Sequence, residues 1–385
     1  MTTLLRNILP FDLLKQMLDE GYIRSQVHPQ YKELVILNYS ESAQFDRAWN
    51  AATIACRGLI VVCGPNGLDA DAVVLARPFG KFHNLNTDGQ PETMEANLPT
   101  DTPLVTEKLD GSLGILYQWD SQWWVATRGS FDSDQARWAT AWFRQNVGKW
   151  IMAESDATAV FEIVYQQNRI VIDYDWEGMV LLGVIDNYFG RELPRESVEW
   201  IAGDNHVGVV KKFDKTLAEC ASENNVNEEG YVLTYSNGVK IKCKFPEYVR
   251  LHRVLTGLNP RAIWELLSQD SGAAVDAILN DPKMPAVFLA WFRGWVEQLR
   301  GKYAALERDA LRAFARRPKF KETKDAHDLV DVSPALRRKA AAMYFKQTPH
   351  LMSVLFAMLD GKDYAGIIWG KIEPRGDATF KKDGK

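Results

Sequence analysis

Val105-Thr106-Glu107-Lys108-Leu109-Asp110-Gly111-Ser112 lies between two apolar runs that are typical of strands. Asp-Gly is a strong turn signal, so the sequence places Lys108 at the end of a strand, directly before a turn. A lysine held there could face a cleft. An ordinary surface hairpin with a solvated lysine explains this segment equally well, so its function depends on the rest of the chain.

Short apolar runs separated by turn residues continue from about residue 30 to residue 250. Asn237-Gly238 between the last two runs is a strong hairpin signal. Helical stretches intervene, notably 45–55 and 135–145. Because the strands come in hairpins and do not alternate strictly with helices, the pattern predicts an α+β fold with antiparallel sheets. The predicted strands are 58–63, 114–119, 123–127, 160–165, 179–185, 231–235 and 239–243.

The pattern changes near residues 250–260. Apolar residues from Phe288 to Leu306 recur at helical spacing, and further helices are predicted over 336–345 and 351–359. We therefore expect two domains: an α+β domain over 1–252 and an all-α domain over 253–385.

The composition is that of a globular protein, with 46% hydrophobic and 25% charged residues among 385. The net charge of −4 does not indicate a nucleic-acid partner, so such a contact requires a local basic patch. The four cysteines form no Cys-x-x-Cys pair, which argues against a zinc site and favours a reducing cytoplasm. No apolar run approaches the roughly 20 residues of a membrane span. We expect a cytoplasmic monomer without a membrane partner.

Two more segments place carboxylates beside predicted strands. Glu162 lies inside the apolar run Phe161-Glu162-Ile163, and Glu229 directly precedes the strand that starts near Gly230. Carboxylates of this kind are ligands that a divalent metal ion prefers.

Lys240, Lys242 and Lys244 alternate with apolar residues, so on a strand they share one face. Like charges on one face repel unless an anion compensates them, and a nucleotide phosphate is such an anion. A solvated edge strand is the alternative for this run taken by itself. The occurrence of five segments in order, with Arg57 before an earlier strand, argues against that alternative.

This ordered set resembles the lysine-adenylating nucleotidyltransferase superfamily of DNA ligases, RNA ligases and mRNA capping enzymes. Within it, the chain is most similar to the ATP-dependent RNA ligases of the T-even phage tRNA-repair type. Arg77-Pro78-Phe79-Gly80-Lys81-Phe82-His83-Asn84 and Thr127-Arg128-Gly129-Ser130 support that branch. The resemblance covers about residues 30–250 well and the tail more loosely, and it implies that 1–252 is an adenylyltransferase domain.

The resemblance also implies catalytic roles. Lys108 is expected to attack the α-phosphorus of ATP, and Glu162 and Glu229 to position Mg²⁺ or Mn²⁺. Two lysines of the last strand are expected to contact the AMP phosphate. The spacing from Glu229 favours Lys242 and Lys244, and Lys240 stays open.

Further nucleotide contacts follow from the same resemblance. Arg57, Lys81 and Arg128 are expected to hold the triphosphate, although a lysine is common at the position of Arg128. Adenine is expected between Val232 and one of Leu181 and Leu182. The remaining expected contacts are Glu107, Asp110 and Gly111, with Asp110 a weaker candidate for the metal.

The implied activity joins RNA ends in three steps. Lys108 takes AMP from ATP, AMP passes to a 5′-phosphate RNA end, and a 3′-hydroxyl then displaces it and seals the strand. An amine attacks phosphorus only when neutral, and an ordinary lysine pKa of about 10.4 leaves about one in 10³ neutral at pH 7. A metal and the lysines of the last strand would both disfavour the ammonium form.

The helical tail distinguishes the alternatives. DNA ligases and capping enzymes follow the core with a strand-rich barrel, which argues against both. A catalytically silent RNA-binding protein is the third hypothesis, and the intact set of charged residues argues against it. Arg308, Arg312 and Arg316 lie at i, i+4 spacing and are candidate contacts for structured RNA such as tRNA. A solvated helix face explains them equally well.

Overall fold

The computed structural model describes residues 2–151, 156–269, 272–317, 334–375 and 380. The chain divides into two compact units, Met1–Arg250 and Leu251–Lys385. The expected domain boundary at 252–253 lies inside the helix Pro246–Gly257, two residues beyond this division. Within the described ranges, no helix is both long and apolar enough to cross a membrane.

The described strands all belong to the first unit. In chain order they are β1 Ile23–Val27, β2 Leu34–Tyr39, β3 Arg57–Val62, β4 Val73–Ala76, β5 His83–Asn84, β6 Leu104–Glu107, β7 Ser112–Trp119, β8 Gln122–Ala126, β9 Ala157–Val164, β10 Gly178–Asp186, β11 Gly208–Val209, β12 Lys212–Phe213, β13 Gly230–Thr234 and β14 Lys240–Lys244. They form three sheets, with the orders β1-β2-β3-β4, β11-β10-β9-β7-β8 and β12-β6-β13-β14-β5. All neighbours are antiparallel except β10 with β11 and β14 with β5. The α+β fold class predicted from the sequence is therefore confirmed.

Several helices of the first unit pack against its strands, and the later helices build the second unit. The first unit holds α1 Leu5–Ile8, α2 Phe11–Asp19, α3 Glu41–Phe45, α4 Ala51–Ala55, α5 Asp134–Asn146, α6 Arg195–Asp204 and α7 Leu217–Ser222. Helix α8, Pro246–Gly257, crosses the division, and α9–α14 follow at Pro260–Gln269, Ala273–Leu279, Ala286–Ala315, Pro334–Phe345, Met352–Leu359 and Ala365–Lys371.

Alternation of apolar and polar residues determines which face of β14 is buried. Ile241 and Cys243 are buried, whereas the three lysines between and beside them are only partly buried. The strand therefore packs one face into the fold and turns its lysines to the other, as the sequence predicts. Strand β13 pairs with β14 so that Val232 stands opposite Lys242 and Gly230 opposite Lys244.

The predicted helix over 45–55 is wrong in its first half. Helix α3 ends at Phe45, and α4 begins only at Ala51. Asn50 caps α4, because its side-chain oxygen accepts the N–H groups of Ala52 and Thr53 at 3.0 and 3.1 Å. An asparagine favours such a cap over a helix interior, and this signal was missed.

The second unit packs around α11. Phe288, Phe292, Val296 and Leu299 are buried along one stripe of this helix, which matches the periodicity seen in the sequence. Farther along the chain, a second cluster forms where α12, α13 and α14 meet α11. Its buried members are Ala310, Ala341, Phe345, Leu351, Val354, Leu355 and Ile368.

Candidate active site

Lys108 directly follows β6 and extends its pairing with β13, because its N–H donates to the carbonyl of Gly230 at 2.9 Å. Its Nζ lies 2.7 Å from Oε2 of Glu229, and Nζ of Lys244 lies 2.8 Å from Oε1 of the same carboxylate. Burial would raise the pKa of Glu229, but Lys108 and Lys244 lower it below its ordinary value. One buried carboxylate thus joins the predicted nucleophile to the predicted phosphate-binding strand.

Glu162 reaches the same region from β9, in a different sheet. Burial raises its pKa to about 7; Lys108 opposes that shift, while Glu229 and Asp110 add to it. Within the described part of the chain, its carboxylate makes no hydrogen bond or ion pair. Glu162 is therefore an available carboxylate beside the lysine, suited to a bound cation.

Of the two predicted metal ligands, Glu162 and Glu229, only Glu162 has a carboxylate that is free to bind a cation. Both oxygens of Glu229 are paired with lysines, whereas the carboxylate of Glu162 is not. In the described ranges, no group of three or more His, Cys, Asp or Glu side chains could hold a metal ion. This arrangement fits Mg²⁺, which is commonly bound by one or two carboxylates with substrate phosphates and waters completing its shell.

Asp110 corrects a sequence prediction, because its carboxylate is occupied by the protein. Oδ2 accepts the N–H groups of Val171 and Ile172 at 2.7 and 3.0 Å, and Oδ1 accepts the hydroxyl of Tyr248 at 2.7 Å. Its own N–H donates to the hydroxyl of Tyr174 at 2.8 Å. With 3% of the residue exposed and both carboxylate oxygens accepting hydrogen bonds from the protein, Asp110 holds the segment after Lys108 in place.

Gly111 is required by close packing. A Cβ at this position would lie 2.4 Å from the carbonyl oxygen of Ile163 and 3.2 Å from Oε1 of Glu162. The absence of a side chain thus lets the turn approach β9 and brings Lys108 towards Glu162. The expected contact of Gly111 with the nucleotide stays a prediction beside this steric role.

Removing the Asp110 carboxylate is expected to destabilise the first unit. Asp110→Ala leaves two buried N–H groups and a buried hydroxyl without their acceptor, which should cost about 3 kcal/mol or more. Asp110→Asn keeps one oxygen and should cost less. Urea unfolding followed by tryptophan fluorescence measures both, and an unchanged midpoint for Asp110→Ala would contradict the positioning role.

Lys242 lies among cations and lacks a carboxylate of its own in the described structure. Burial, and then Arg57, Lys108, Lys81 and Lys244, hold its pKa well below the ordinary value. Its Nζ lies 4.4 Å from the ring centroid of Phe82. Such a cluster is relieved by a bound anion, which would return Lys242 to its charged form.

Lys240 is in a different environment, although it shares the face of β14. Its Nζ lies 2.6 Å from Oε2 of Glu192 and 4.0 Å from the ring centroid of Phe79. The Glu192 carboxylate compensates its charge. Of the three lysines, Lys242 alone has no carboxylate partner among the described residues, so the geometry favours it most for a phosphate, while Lys244 shares the Glu229 carboxylate with Lys108. Nothing in the sequence around Glu192 pointed to this pairing.

Tyr39 was missed by the sequence reasoning, since it closes an apolar run and resembles a core residue. Arg128 Nη1 donates to its hydroxyl at 2.9 Å, and Lys81 Nζ lies 5.3 Å from its ring centroid. Burial would raise the pKa of Tyr39, but Arg128, Lys81 and Arg57 lower it. Trp49 also contacts Lys81, whose Nζ lies 4.9 Å from the centroid of the Trp49 ring. The three predicted triphosphate-binding cations therefore gather around one buried phenol.

Two predicted contacts face away from this site. Leu181 is fully buried in the core beside Phe161, which leaves Leu182 as the partly exposed leucine that could meet adenine across from Val232. Glu107 stands opposite Tyr231, and strand alternation turns its side chain to the face opposite that of Lys108. A nucleotide contact by Leu181 or by the Glu107 side chain is therefore incorrect.

Comparison with known proteins agrees with this geometry. The family model described as RNA ligase matches residues 55–248, half of the chain. The chain belongs to the RNA ligase family. The matched range contains Arg57, Lys108, Glu162, Glu229 and the lysines of β14, so the match confirms both the resemblance and the enzyme class inferred from the sequence.

Individual relatives are more distant. An RNA ligase of Rhodothermus phage RM378 is 24% identical over 309 residues, which cover 62% of this chain and 68% of that protein. A Thermovibrio ammonificans protein described as a candidate RNA ligase is 26% identical over 230 residues, covering 56% and 58%. Among solved structures, the superposition with an archaeal ATP-dependent RNA ligase covers 93% of this chain and 98% of that chain. The identity is 14% and the TM-score is 0.45.

Proposed function

We propose that this RNA ligase uses ATP to join 5′-phosphate and 3′-hydroxyl RNA ends through a Lys108–AMP intermediate and an RNA-adenylate. The observation that supports this proposal most strongly is the cluster of cations around Lys242, next to Lys108, which Glu229 holds in place. A nucleotide phosphate would compensate that cluster and bring its phosphorus towards Lys108.

In the ion pair with Glu229, Lys108 is an ammonium and cannot attack. Transfer of one proton from Nζ to solvent breaks the pair and frees the lone pair. Nζ then forms a bond to the α-phosphorus as the bond to pyrophosphate breaks, and a second proton passes from the nitrogen to solvent to leave the phosphoramide. Lys242 and Lys244 would stabilise the charge that develops on the phosphoryl oxygens.

Glu162 would hold Mg²⁺ or Mn²⁺, joined by Glu229 once Lys108 no longer pairs with it. Such an ion would supply positive charge to the phosphoryl oxygens and disfavour the ammonium form of the lysine. Arg57, Lys81 and Arg128, gathered around Tyr39, would bind the remaining phosphates. Leu182 and Val232 would enclose adenine.

We place this activity in RNA repair, with tRNA as a candidate substrate, carried out by a cytoplasmic monomer. All four cysteines are free and buried, which suits a reducing compartment. The first unit would then be the adenylyltransferase domain and the second a helical RNA-binding domain.

Nucleotide binding is expected to take up a proton. Burial and the neighbouring cations lower the pKa of Lys242, and a bound phosphate would raise that pKa again, so AMP binding favours the protonated form of this lysine. At about pH 8 the AMP phosphate is already fully ionised and adds no proton change. Calorimetry in buffers of different ionisation enthalpy should show net proton uptake when AMP binds. Equal uptake by Lys242→Met would contradict the prediction.

Arg308, Arg312 and Arg316 are exposed at the end of α11 and just beyond it, and they are the proposed contacts for an RNA backbone. Lys319 and Lys321, which would extend the patch, lie outside the described residues. Charge reversal at Arg312 and Arg316 should weaken sealing and flatten its salt dependence, without changing adenylylation of Lys108. Sealing kinetics at several salt concentrations measure this, and unchanged sealing would reduce the patch to a solvated surface.

A paired assay tests the proposed function. The protein is incubated with α-labelled ATP or GTP and then given RNA or DNA with 5′-phosphate and 3′-hydroxyl ends. The proposal expects labelling by ATP and sealing of RNA. Labelling by GTP alone would indicate a capping-type enzyme, sealing of DNA alone a DNA ligase, and neither reaction a silent RNA-binding protein.

A further inference from the structure

Residues 77–85, here called the junction segment, are bonded to all three sheets of the first unit. The N–H of Lys81 donates to the carbonyl of Ile54 at 2.8 Å, in the helix α4 that packs on β2 and β3. Strand β5 lies within the segment and pairs with β14. At the start of the segment, Arg77 bonds to groups of β9 and of the turn after β10. Contacts with three sheets therefore determine where the side chains of this segment lie.

Arg77 holds the start of the junction segment through both its backbone and its side chain. Its N–H donates to Oγ1 of Thr158 in β9 at 2.8 Å. Its Nη1 donates to the carbonyls of Asn187 and Tyr188 at 2.9 and 2.7 Å, and within the described residues its guanidinium forms no ion pair. Pro78 follows, and its ring restricts the backbone of both residues. A displacement of Arg77 is therefore passed on to the residues that follow.

Gly190 makes the room that the guanidinium occupies. Its φ is +69°, a conformation that glycine adopts without steric cost. A Cβ at this position would lie 2.5 Å from Cζ and from Nη2 of Arg77. The bonds between Arg77 and the turn after β10 thus depend on a residue without a side chain.

Thr158, which accepts the N–H of Arg77, is itself held by a chain of hydrogen bonds. Its hydroxyl donates to Oδ1 of Asn187 at 2.7 Å, and Nδ2 of Asn187 donates to Oδ1 of Asp156 at 2.9 Å. Oδ2 of Asp156 accepts the hydroxyl of Thr3 at 2.8 Å. Thr3, Thr158 and Asn187 are buried. A buried polar network whose members are all bonded is rigid, so it offers Arg77 one position.

The junction segment carries or contacts two of the three predicted triphosphate-binding cations. Lys81 belongs to it. Arg57 Nη1 donates to the carbonyl of Phe79 at 3.4 Å, and Arg57 Cζ lies 5.5 Å from the ring centroid of Phe82. Lys242 also lies over Phe82, but its strand is held by the pairing of β14 with β13, in which the segment takes no part. Displacing the segment would therefore displace Lys81 and Arg57 first.

We infer that Arg77 is a positioning residue for the ATP-dependent step: it holds Lys81 and Arg57 where the β- and γ-phosphates of ATP would bind. The inference rests on the proposed function and adds to it a residue that acts through others, from outside the charging site. Pyrophosphate consists of these two phosphates, and AMP lacks both. The role of Arg77 is therefore visible with ATP and absent with AMP.

The test measures the affinities for ATP and AMP by calorimetry with Mg²⁺ on the full-length protein. Every protein carries Lys108→Ala, so that no AMP is transferred during the titration. Arg77→Met keeps a long side chain without a donor, and Arg77→Lys keeps a charged donor of another shape. Arg195→Met is the matched control, because Arg195 Nη2 likewise donates to a backbone carbonyl, that of Val210 at 2.8 Å, outside the junction segment.

We expect Arg77→Met to weaken ATP binding about tenfold and to leave AMP binding within about twofold, because the displaced cations bind only phosphates that AMP lacks. Arg77→Lys should recover part of the loss, since its ammonium can still donate to a carbonyl. Arg195→Met should change neither affinity. Unchanged ATP binding in Arg77→Met, an equal loss for AMP, or an equal loss in Arg195→Met would overturn the inference.

Lys81→Met tests whether Arg77 acts through the predicted cations. In that variant, adding Arg77→Met should weaken ATP binding by about threefold or less, because one of the positioned cations is already gone. A further loss of about tenfold would show that Arg77 acts independently of Lys81 and would also overturn the inference. Thermal melting accompanies each titration. If Arg77→Met melts below the assay temperature, Arg77→Lys carries the same comparison of ATP with AMP.

Failure of the proposed function has a different signature. A wild-type protein that takes no AMP from α-labelled ATP would refute the ligase mechanism, whatever the variants bind. Normal labelling of the wild type, with no difference in ATP affinity between Arg77→Met and its parent, would leave the ligase intact and refute the role of Arg77 alone.

Discussion

Lys108→Ala is expected to take up no AMP from α-labelled ATP and to seal no RNA whose 5′ end has not been adenylylated. Glu229 holds Nζ of Lys108 at the end of β6, and it holds Nζ of Lys244 from β14 with its other oxygen. Removal of the Lys108 side chain deletes the atom that would bond to phosphorus, and no neighbouring cation can substitute without leaving the phosphate-binding strand. A gel of labelled protein measures the effect.

The same variant has an internal control. Chemically adenylylated RNA bypasses the charging step, so Lys108→Ala should still seal it at a measurable rate. Circular dichroism and thermal melting would show that the fold is retained. Robust labelling of Lys108→Ala would refute the assignment of the nucleophile.

Lys242→Met should lower the rate of adenylylation by about 10²–10³-fold, the usual loss when one preorganised donor to a developing oxyanion is removed. The reason is its position within the cation cluster, without a carboxylate of its own in the described structure. Methionine keeps the length and apolar stem of the side chain but lacks the ammonium group that lies 4.4 Å from the Phe82 ring centroid. Single-turnover labelling with ATP measures the rate.

Lys240 provides the matched comparison on the same face of β14. Because Glu192 already compensates Lys240, the double variant Lys240→Met with Glu192→Gln removes the ion pair as a unit and leaves no unpaired charge. Its adenylylation rate should stay within about tenfold of wild type. Equal losses in the two variants would contradict the distinction between Lys240 and Lys242.

Much of the catalytic strand arrangement could be predicted from the sequence, because it depends on period-two patterning. Ile241 and Cys243 specify which face of β14 is buried, and the lysines must then share the other face. Asp110-Gly111 likewise marked the end of the strand before Lys108, although the segment that follows crosses to another sheet and does not form a hairpin. Local patterns of this kind do not depend on what packs against them from elsewhere in the chain.

What could not be predicted depends on long-range partners. Tyr39 gathers Arg57, Lys81 and Arg128, and the sequence gives no sign that its hydroxyl would be surrounded by cations. Asp110 resembled a metal or nucleotide ligand. Its carboxylate oxygens instead accept hydrogen bonds from the backbone of a loop some 60 residues away in the chain and from the hydroxyl of Tyr248.

The choice between Leu181 and Leu182 for the adenine contact could not be made for a similar reason. Leu181 and Leu182 are adjacent, and β10 shifts register between Leu181 and Gly183. Which leucine faces the core depends on that irregularity, because side chains alternate along a regular strand. The sequence alone therefore could not choose between them.

Mapping the site of AMP attachment tests the central claim most directly. The wild-type protein is incubated with ATP and Mg²⁺, digested under conditions that preserve the phosphoramide bond, and analysed by tandem mass spectrometry. The proposed mechanism predicts one AMP per chain, attached to Nζ of Lys108. AMP attached to Lys240, Lys242 or Lys244, or no attachment by a protein that still seals RNA, would contradict it.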